Sequence, residues 1–456
     1  MIKKISSNPF ILFLLIHLTI WTLIPSLVNK NLPLDTIEAL AWGSNLDWGF
    51  NKHPPLSAFF VEIFYQLFGA QDWAYYLLSQ IFVIFSFFIV WKFSEEFFLN
   101  KKLSLISVLL LEGIVFYNYT TPEFNVYVCQ LPFRALTVYY SWKCIKNNNQ
   151  FDWILLGLFA GLGFLSHYLF AYLILAVGIF FIYQIKDKKI NYNYFIPIFI
   201  FLIIISPHLF WLIDNNYSTI SYGLGRTEAQ NTNFLTSHLF YPSIFIAKQI
   251  IILIPFILIF LSLTLKLKTK FNFKDKKLLF LIVINLIPVF LVFFTSLIMG
   301  VKIRTMWMSP FYLFLGVLLV YIFNKKINLK KIKRFIIILI FFFILSPIAY
   351  AAISIIKDNK RTDFPGPEIA YLVQSKWNQN FSNEISIIVG DEWFGGNLSY
   401  HLASRPKWYN SLKDNATSFE NTGGVIYVGN PKILKKICPG VFGTIKPVGI
   451  CMIGIK

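Results

Sequence analysis

The sequence predicts an α-helical polytopic membrane protein with a small α/β domain at its C-terminal end. Three observations carry this. Hydrophobic residues make up 56% of the 456 and charged residues only 14%, well under the roughly one quarter of an ordinary soluble domain. Apolar stretches of about 20 residues, enough to cross about 30 Å of hydrocarbon, recur along the first 356 positions. Beyond them the pattern changes to short strand-like and helix-like runs separated by Pro, Gly and Asn.

In chain order the apolar pattern predicts about eleven spans, at about 10–28, 73–91, 103–119, 123–142, 152–164, 167–185, 194–213, 242–265, 278–297, 304–323 and 335–356. The first, "PFILFLLIHLTIWTLIPSL", lacks a small-residue cleavage site, so it reads as a retained helix and not a removed signal. The fifth and sixth are short, crowded around Gly157, Gly161 and Gly163, and read also as one broken pair of tilted helices. Odd–even alternation gives the connections on the N-terminal side 22 Lys and Arg. The opposite membrane loops hold five, namely Lys30, Lys52, Arg226, Lys302 and Arg304. That bias predicts a cytoplasmic N-terminus. It also accounts for the net charge of +19, which would sit beside anionic lipid and calls for no nucleic acid.

The same topology puts residues 29–72 on the far side, as a long loop with amphipathic stretches that predict surface helices. The first domain thus covers 1–356, and residues 357–456 follow the last span as an exported α/β domain. There "EIAYLVQSKW" and "GNLSYHLASR" read as helices, and "EISIIVG" and "GGVIYVG" as strands. Cys438 and Cys451 flank an apparent hairpin, where an oxidising compartment permits a disulfide. Cys129 and Cys144 read as core residues, and no Cys/His set has metal-ligand spacing. Glu112 and Lys248 fall near span ends, where snorkelling explains them.

The sparse charged residues of the far side are the candidate site. Asp35 and Glu38 in "DTIE" share a helix face, and read either as a capping box or as acids placed to orient a hydroxyl and take its proton. Lys52 and His53 in "KHPPL" read either as interfacial residues on a proline-stiffened turn or as donors and positive charge for a lipid phosphate. Glu123, after Pro122, is ordinary helix-start chemistry and also a third acid on this side. Arg226, Lys302 and Arg304 extend a possible cationic cluster. His167 lies at the far-side end of the fifth and sixth spans, and reads either as structural or as a site residue. Arg134 lies about three turns inside the fourth span, where an arginine needs a partner or a polar cavity.

The stretch "LDTIEALAWGSNLDWGFNKHPPL" resembles the first-loop signature of the GT-C membrane glycosyltransferases. The group in question is protein O-mannosyltransferase-like and includes the lipid A aminoarabinose and lipopolysaccharide core transferases. "TTPEFNVYVCQLPFRALT" resembles its second acidic motif and "GLFAGLGFLSHY" its Gly-rich segment, while "RTMWMSPFYLFLG" and "RTDFPGPEIAYLVQSKW" are also similar. The resemblance implies a bacterial inner-membrane enzyme with a periplasmic C-terminal domain. It would move a sugar from a polyprenyl-phosphate donor to lipid A, core oligosaccharide, O-antigen or protein. Position by position, Asp35 matches the essential first-loop acid and Glu123 the second acid, while Lys52 and His53 match the region that meets donor phosphate. The expected mechanism is an inverting single displacement with Asp35 as base and Glu123 positioning the acceptor or sharing a divalent metal with it. Lys52 stands where many members carry an acid, His167 where many carry Lys, and Arg134 where an apolar or aromatic residue is common. Those departures leave the donor sugar and metal dependence open. Two other readings remain: a flippase for a lipid-linked sugar, though no internal repeat is visible, and a polymerase or ligase using polyprenyl-pyrophosphate glycans.

Overall fold

The computed structural model describes residues 8–185, 191–227, 233–410 and 423–456. Every predicted span contains helix, but not every one is a single straight crossing. Six helices are long and apolar enough to cross by themselves: Pro9–Val28 (α1), Asp72–Glu95, Tyr168–Ile185, Tyr192–Asp214, Lys276–Met299 and Leu329–Ile356. Two bent pairs bring the number to eight among the described residues, Thr236–Ile252 with Ile254–Leu261 at 42° and Thr305–Tyr312 with Leu315–Phe323 at 53°. Proline explains both bends. Pro255 opens the helix Ile254–Leu261, and Pro310 lies within the 3-10 segment Thr305–Tyr312. Each lacks an N–H and crowds the preceding turn.

The remaining three predicted spans differ for local reasons. The segment 103–119 is α-helical only over Lys101–Leu109, then tightens into 3-10 turns at Leu110–Gly113 and Val115–Tyr117. Val126–Asn147 is a 22-residue helix whose polar residues keep it below the apolarity of a plain span. Gln150–Ser166 has 17 residues and is separated from the next helix by an extended His167, so the crowded pair is two helices. Its glycines let a neighbour approach: a Cβ on Gly157 would lie 2.6 Å from the Pro197 carbonyl oxygen, and one on Gly161 2.7 Å from the Ile204 side chain. Glu112, expected to snorkel, is instead buried and 2.7 Å from His17 Nδ1.

The first loop folds into two helices, Leu34–Gly43 (α2) and Leu56–Phe68 (α3), which lead into Asp72–Glu95 (α4). Over them lies the C-terminal unit. Its sheet runs β2-β1-β3-β5-β4, from β1 (Ile385–Val389), β2 (Lys407–Tyr409), β3 (Gly424–Gly429), β4 (Val441–Ile445) and β5 (Val448–Ile453). β2, β1 and β3 are parallel, and β5 runs antiparallel to β3 and β4. The short β2 escapes the sequence pattern. The predicted hairpin is β4–β5, and Cys438 and Cys451 are bonded.

The C-terminal unit is tied to the first loop at several points. Thr362 O accepts from the Lys30 and Asn31 amides, and Asn31 Nδ2 donates to Asn397 Oδ1. Arg405 Nη2 donates to Leu40 O and to Glu62 Oε2, both at 2.7 Å. The helix Phe394–His401 lies on α2 through Gly396, where a Cβ would stand 3.0 Å from Ile37 Cγ2 and 3.1 Å from Ala41 Cβ. This contact places the loop ahead of that helix beside the start of α2.

Candidate active site

α2 starts at Leu34 with Pro33 before it, and no side chain of its own segment caps it. The capping box expected in "DTIE" is not formed. Asp35 is already inside the first turn, and its amide donates to Glu123 Oε1 at 3.0 Å. Glu123 therefore satisfies a free helix-start N–H from 88 residues away, at the positive end of the helix dipole. Glu38 is drawn elsewhere: Lys52 Nζ lies 2.8 Å from Glu38 Oε1 and 3.3 Å from Glu392 Oε1. Asn51 Nδ2 also donates to Glu392 Oε1, so the "NKHPP" turn is clamped between α2 and the C-terminal unit.

Asp35, Glu38, Lys52, Glu123 and Glu392 line one cavity of about 800 Å³. Of the residues singled out in the sequence, Asp35, Glu38, Glu123, Lys52, His53, His167, Arg226 and Arg304 all face it. Lys302 does not; its ammonium lies 5.6 Å from the Tyr241 ring centre. Arg134 does not either. It is fully buried with its guanidinium 4.5 Å from the Phe311 ring centre, and its terminal nitrogens have no hydrogen-bond partner among the described residues. The partner expected for it is thus an aromatic face, and the residue at this depth packs helices together.

The C-terminal unit adds lining that sequence reasoning missed: Arg361, Asp391, Glu392 and Trp393. Arg361 lies 5.3 Å from the Trp393 ring centre, and Asp391 Oδ1 accepts from the Trp393 and Phe394 amides at the start of the following helix. Signals existed. Arg361 falls just past the last predicted span, and "GDEW" sets two acids beside an aromatic. Tyr222 was also missed; its ring centre is 5.9 Å from Lys52 Nζ and 5.7 Å from the Arg226 guanidinium.

Burial sets the charge states here. Desolvation raises the Asp35 pKa, while Lys52, Arg361, Arg226 and Arg304 pull it back. Glu123 is pushed up to about 8 by burial and then by Asp35 itself. Two adjacent carboxyls with unequal cationic support separate into one that ionises and one that keeps its proton near neutrality. Burial also raises the Glu38 carboxyl, against the pull of Lys52. For Lys52, desolvation is outweighed by Glu38 and Glu392, which hold its ammonium above its usual range.

Two expectations are corrected by these surroundings. Burial, then His167 and Lys52, keep His53 well below its ordinary pKa, and burial takes His167 to about 3. Both imidazoles are neutral. His167 Nδ1 accepts from the Leu169 amide, which leaves Nε2 as its protonated nitrogen. Lys52 already bridges two carboxylates, so it is no free cation for a phosphate. The cationic share falls to Arg226, Arg304 and Arg361, all exposed at the cavity and without an ion-pair partner among the described residues.

A divalent metal shared by Asp35 and Glu123 is one alternative for this site. Glu38 is engaged by Lys52, and among the described residues no three His, Cys, Asp or Glu are grouped to hold a cation. The set does not fit a divalent metal, and no chemical step is routed through one.

The family described as dolichyl-phosphate-mannose-protein mannosyltransferase matches residues 52–211, a stretch holding Lys52, His53, Glu123 and His167. No curated protein matches the chain. Among solved structures, ArnT from Cupriavidus metallidurans bound to undecaprenyl phosphate is similar, with a TM-score of 0.63 and 10% identity over 97% of both chains. Its apo state gives the same values. The archaeal oligosaccharyltransferase AglB from Archaeoglobus fulgidus, in complex with an inhibitory peptide and a dolichol-phosphate, reaches 0.44 at 10% identity, over 87% of this chain and 64% of that one. The chain is thus a multi-span membrane protein with an ArnT-like fold over 97% of its length, and its residues 52–211 match the dolichyl-phosphate-mannose-protein mannosyltransferase family.

Proposed function

We propose that this protein transfers a sugar from a polyprenyl-phosphate carrier to a hydroxyl of an envelope acceptor, by inverting displacement, on the extracytoplasmic face of a bacterial inner membrane. The observation that carries this reading is the Asp35–Glu123 pair set in one cavity with Arg226, Arg304 and Arg361. The lipid phosphate is the leaving group, and three guanidiniums without an ion-pair partner among the described residues meet its charge as it develops. Arginine suits this role because its donors match phosphate oxygens in pairs. The acceptor oxygen attacks the anomeric carbon. The bond from that carbon to the phosphate oxygen breaks, with its electron pair leaving on the lipid phosphate, and the acceptor proton passes to Asp35. Protonated Glu123 holds α2 in place through the Asp35 amide and orients the acceptor.

Sidedness rests on the skew of Lys and Arg, 22 against five, and on the Cys438–Cys451 bond in the unit that walls the cavity. ArnT was solved with undecaprenyl phosphate, which supports a monophosphate carrier over a pyrophosphate glycan. The acceptors proposed are lipid A, core oligosaccharide, O-antigen or protein.

The test is transfer of label from a radiolabelled polyprenyl-phosphate sugar in membranes. Wild type moves label to an acceptor and releases polyprenyl phosphate. Asp35→Asn lowers that rate by about 10²–10⁴-fold, the usual contribution of a positioned base. Label that crosses the bilayer still attached to its carrier supports a flippase instead, and full activity in Asp35→Asn removes the base assigned here.

A further inference from the structure

A second groove, of about 700 Å³, lies between the helix Gly366–Asn380 and the start of α4. Along that helix Pro367, Ala370, Tyr371, Gln374 and Asn378 line it, at the three- and four-residue spacing of one face. Val373 and Trp377 are buried in the core. The lining face is rich in hydrogen-bonding groups. Gln374 Nε2 donates to Asn378 Oδ1 at 2.8 Å, and Tyr371 is 73% exposed. Across the groove lie Asp72, Glu384, His401 and Ser404. Asp72 Oδ1 accepts from the Tyr400 hydroxyl, and its other oxygen has no partner among the described residues.

Among the described residues this groove has no positive charge: the chain holds 41 Lys and Arg, yet none of those described is in its lining. Burial lowers His401 to about 4, so its imidazole is neutral. The carboxylates of Asp72 and Glu384, with no described cation beside them, repel phosphate and other anions. The same set suits a polyol: amides and carboxylates serve its hydroxyls as donors and acceptors, and a tyrosine face covers its C–H surface.

The position relates this groove to the chemistry. Asp391, Glu392 and Trp393 precede the helix Phe394–His401 and line the main cavity, whereas His401, Leu402 and Ser404 at its other end line the groove. An eight-residue helix is about 12 Å long, a separation that an oligosaccharide spans and a single sugar does not. Ala70 and Asp72 also put the groove at the mouth of a membrane span, within reach of a glycan carried by a lipid.

We propose that this groove is an acceptor subsite for uncharged or amine-bearing sugars, gripping saccharide units remote from the hydroxyl that reacts. This rests on the transferase reading above. The test uses the full chain in detergent, with chitotriose, its fully deacetylated amine form and maltotriose as probes. Saturation-transfer NMR follows sugar binding, and undecaprenyl phosphate binding is measured in the same preparations. At least one trisaccharide binds wild type at millimolar concentration. Tyr371→Ala and Gln374→Ala each weaken that binding by about tenfold, the loss of one good polar contact, and leave lipid-phosphate binding unchanged. Preference for the amine form means that Asp72 and Glu384 meet a cation, and equal binding means a neutral polyol. If no trisaccharide binds, or if both variants bind as wild type does, the subsite is refuted while the donor site stands. If wild type binds sugar but not undecaprenyl phosphate, the donor reading fails instead.

Discussion

Asp35 sits between opposing influences. Its burial beside Glu123 favours the protonated form, and Lys52 is the largest single pull toward the anion. A base must be ionised to act, so kcat/KM falls as pH drops through the raised pKa of Asp35. Lys52→Met removes that pull, and the acid limb of the pH–rate profile moves to higher pH; an unmoved limb would show that Lys52 acts only as a tether. Glu123 titrates near 8 in the folded chain against an ordinary 4.5, so the folded state binds more protons across that window. Stability therefore falls as pH rises from about 4.5 to about 8. Glu123→Gln is neutral at every pH, and its thermal midpoint should decline less over that range in a melting series. The arginines make a separate prediction. Arg226→Ala, Arg304→Ala and Arg361→Ala each weaken undecaprenyl phosphate binding by about 10- to 100-fold, in line with a charge-assisted contact of about 1.5–3 kcal/mol, and titration of the lipid into purified variants measures it. Lys302→Ala, outside the cavity, leaves that affinity unchanged.

Among the elements, α2 carries the site and is held from three sides. Glu123 meets its first turn, the "NKHPP" turn is bound to it through Lys52 and Glu38, and the helix Phe394–His401 packs on it through Gly396. Close helix contact of this kind leaves no room for a larger side chain. Gly396→Leu overpacks against Ile37 and Ala41, at a cost of about 1–3 kcal/mol, and should loosen the C-terminal unit. Limited proteolysis between residues 357 and 366 reads this directly, with faster cleavage expected in the variant. Unchanged cleavage would mean that the Arg405, Thr362 and Asn397 bonds alone hold the unit in place. The local pattern of these helices was plain in the sequence. The way they end was less so, since Glu123 and not Asp35 meets the first turn of α2, and a residue 88 positions away leaves no local trace.

At the scale of the whole molecule, the cavity joins the first loop, the loop before Val126–Asn147, the helix ends at His167 and Arg226, and the C-terminal unit. Reporter fusions within 29–72 and after residue 456 should both report an extracytoplasmic location, and a cytosolic signal from either would overturn the arrangement. Composition and apolar runs by themselves determined the membrane class, the C-terminal α/β unit and the segments that contain helix, because an apolar run of about 20 residues crosses hydrocarbon as a helix that satisfies its own backbone, and a change of solvent changes residue choice. They also placed Asp35, Glu123, Arg226 and Arg304 among the candidates, since charged groups are few in such a chain and stand out. Only the tertiary structure decided which of those groups are free to act. Whether Lys52 is paired, whether His53 is charged, whether Arg134 meets the cavity, and that Arg361 arrives from the far end of the chain all depend on distances between remote segments. Electrostatic interaction follows separation in space and access to water, and neither is written in the order of residues.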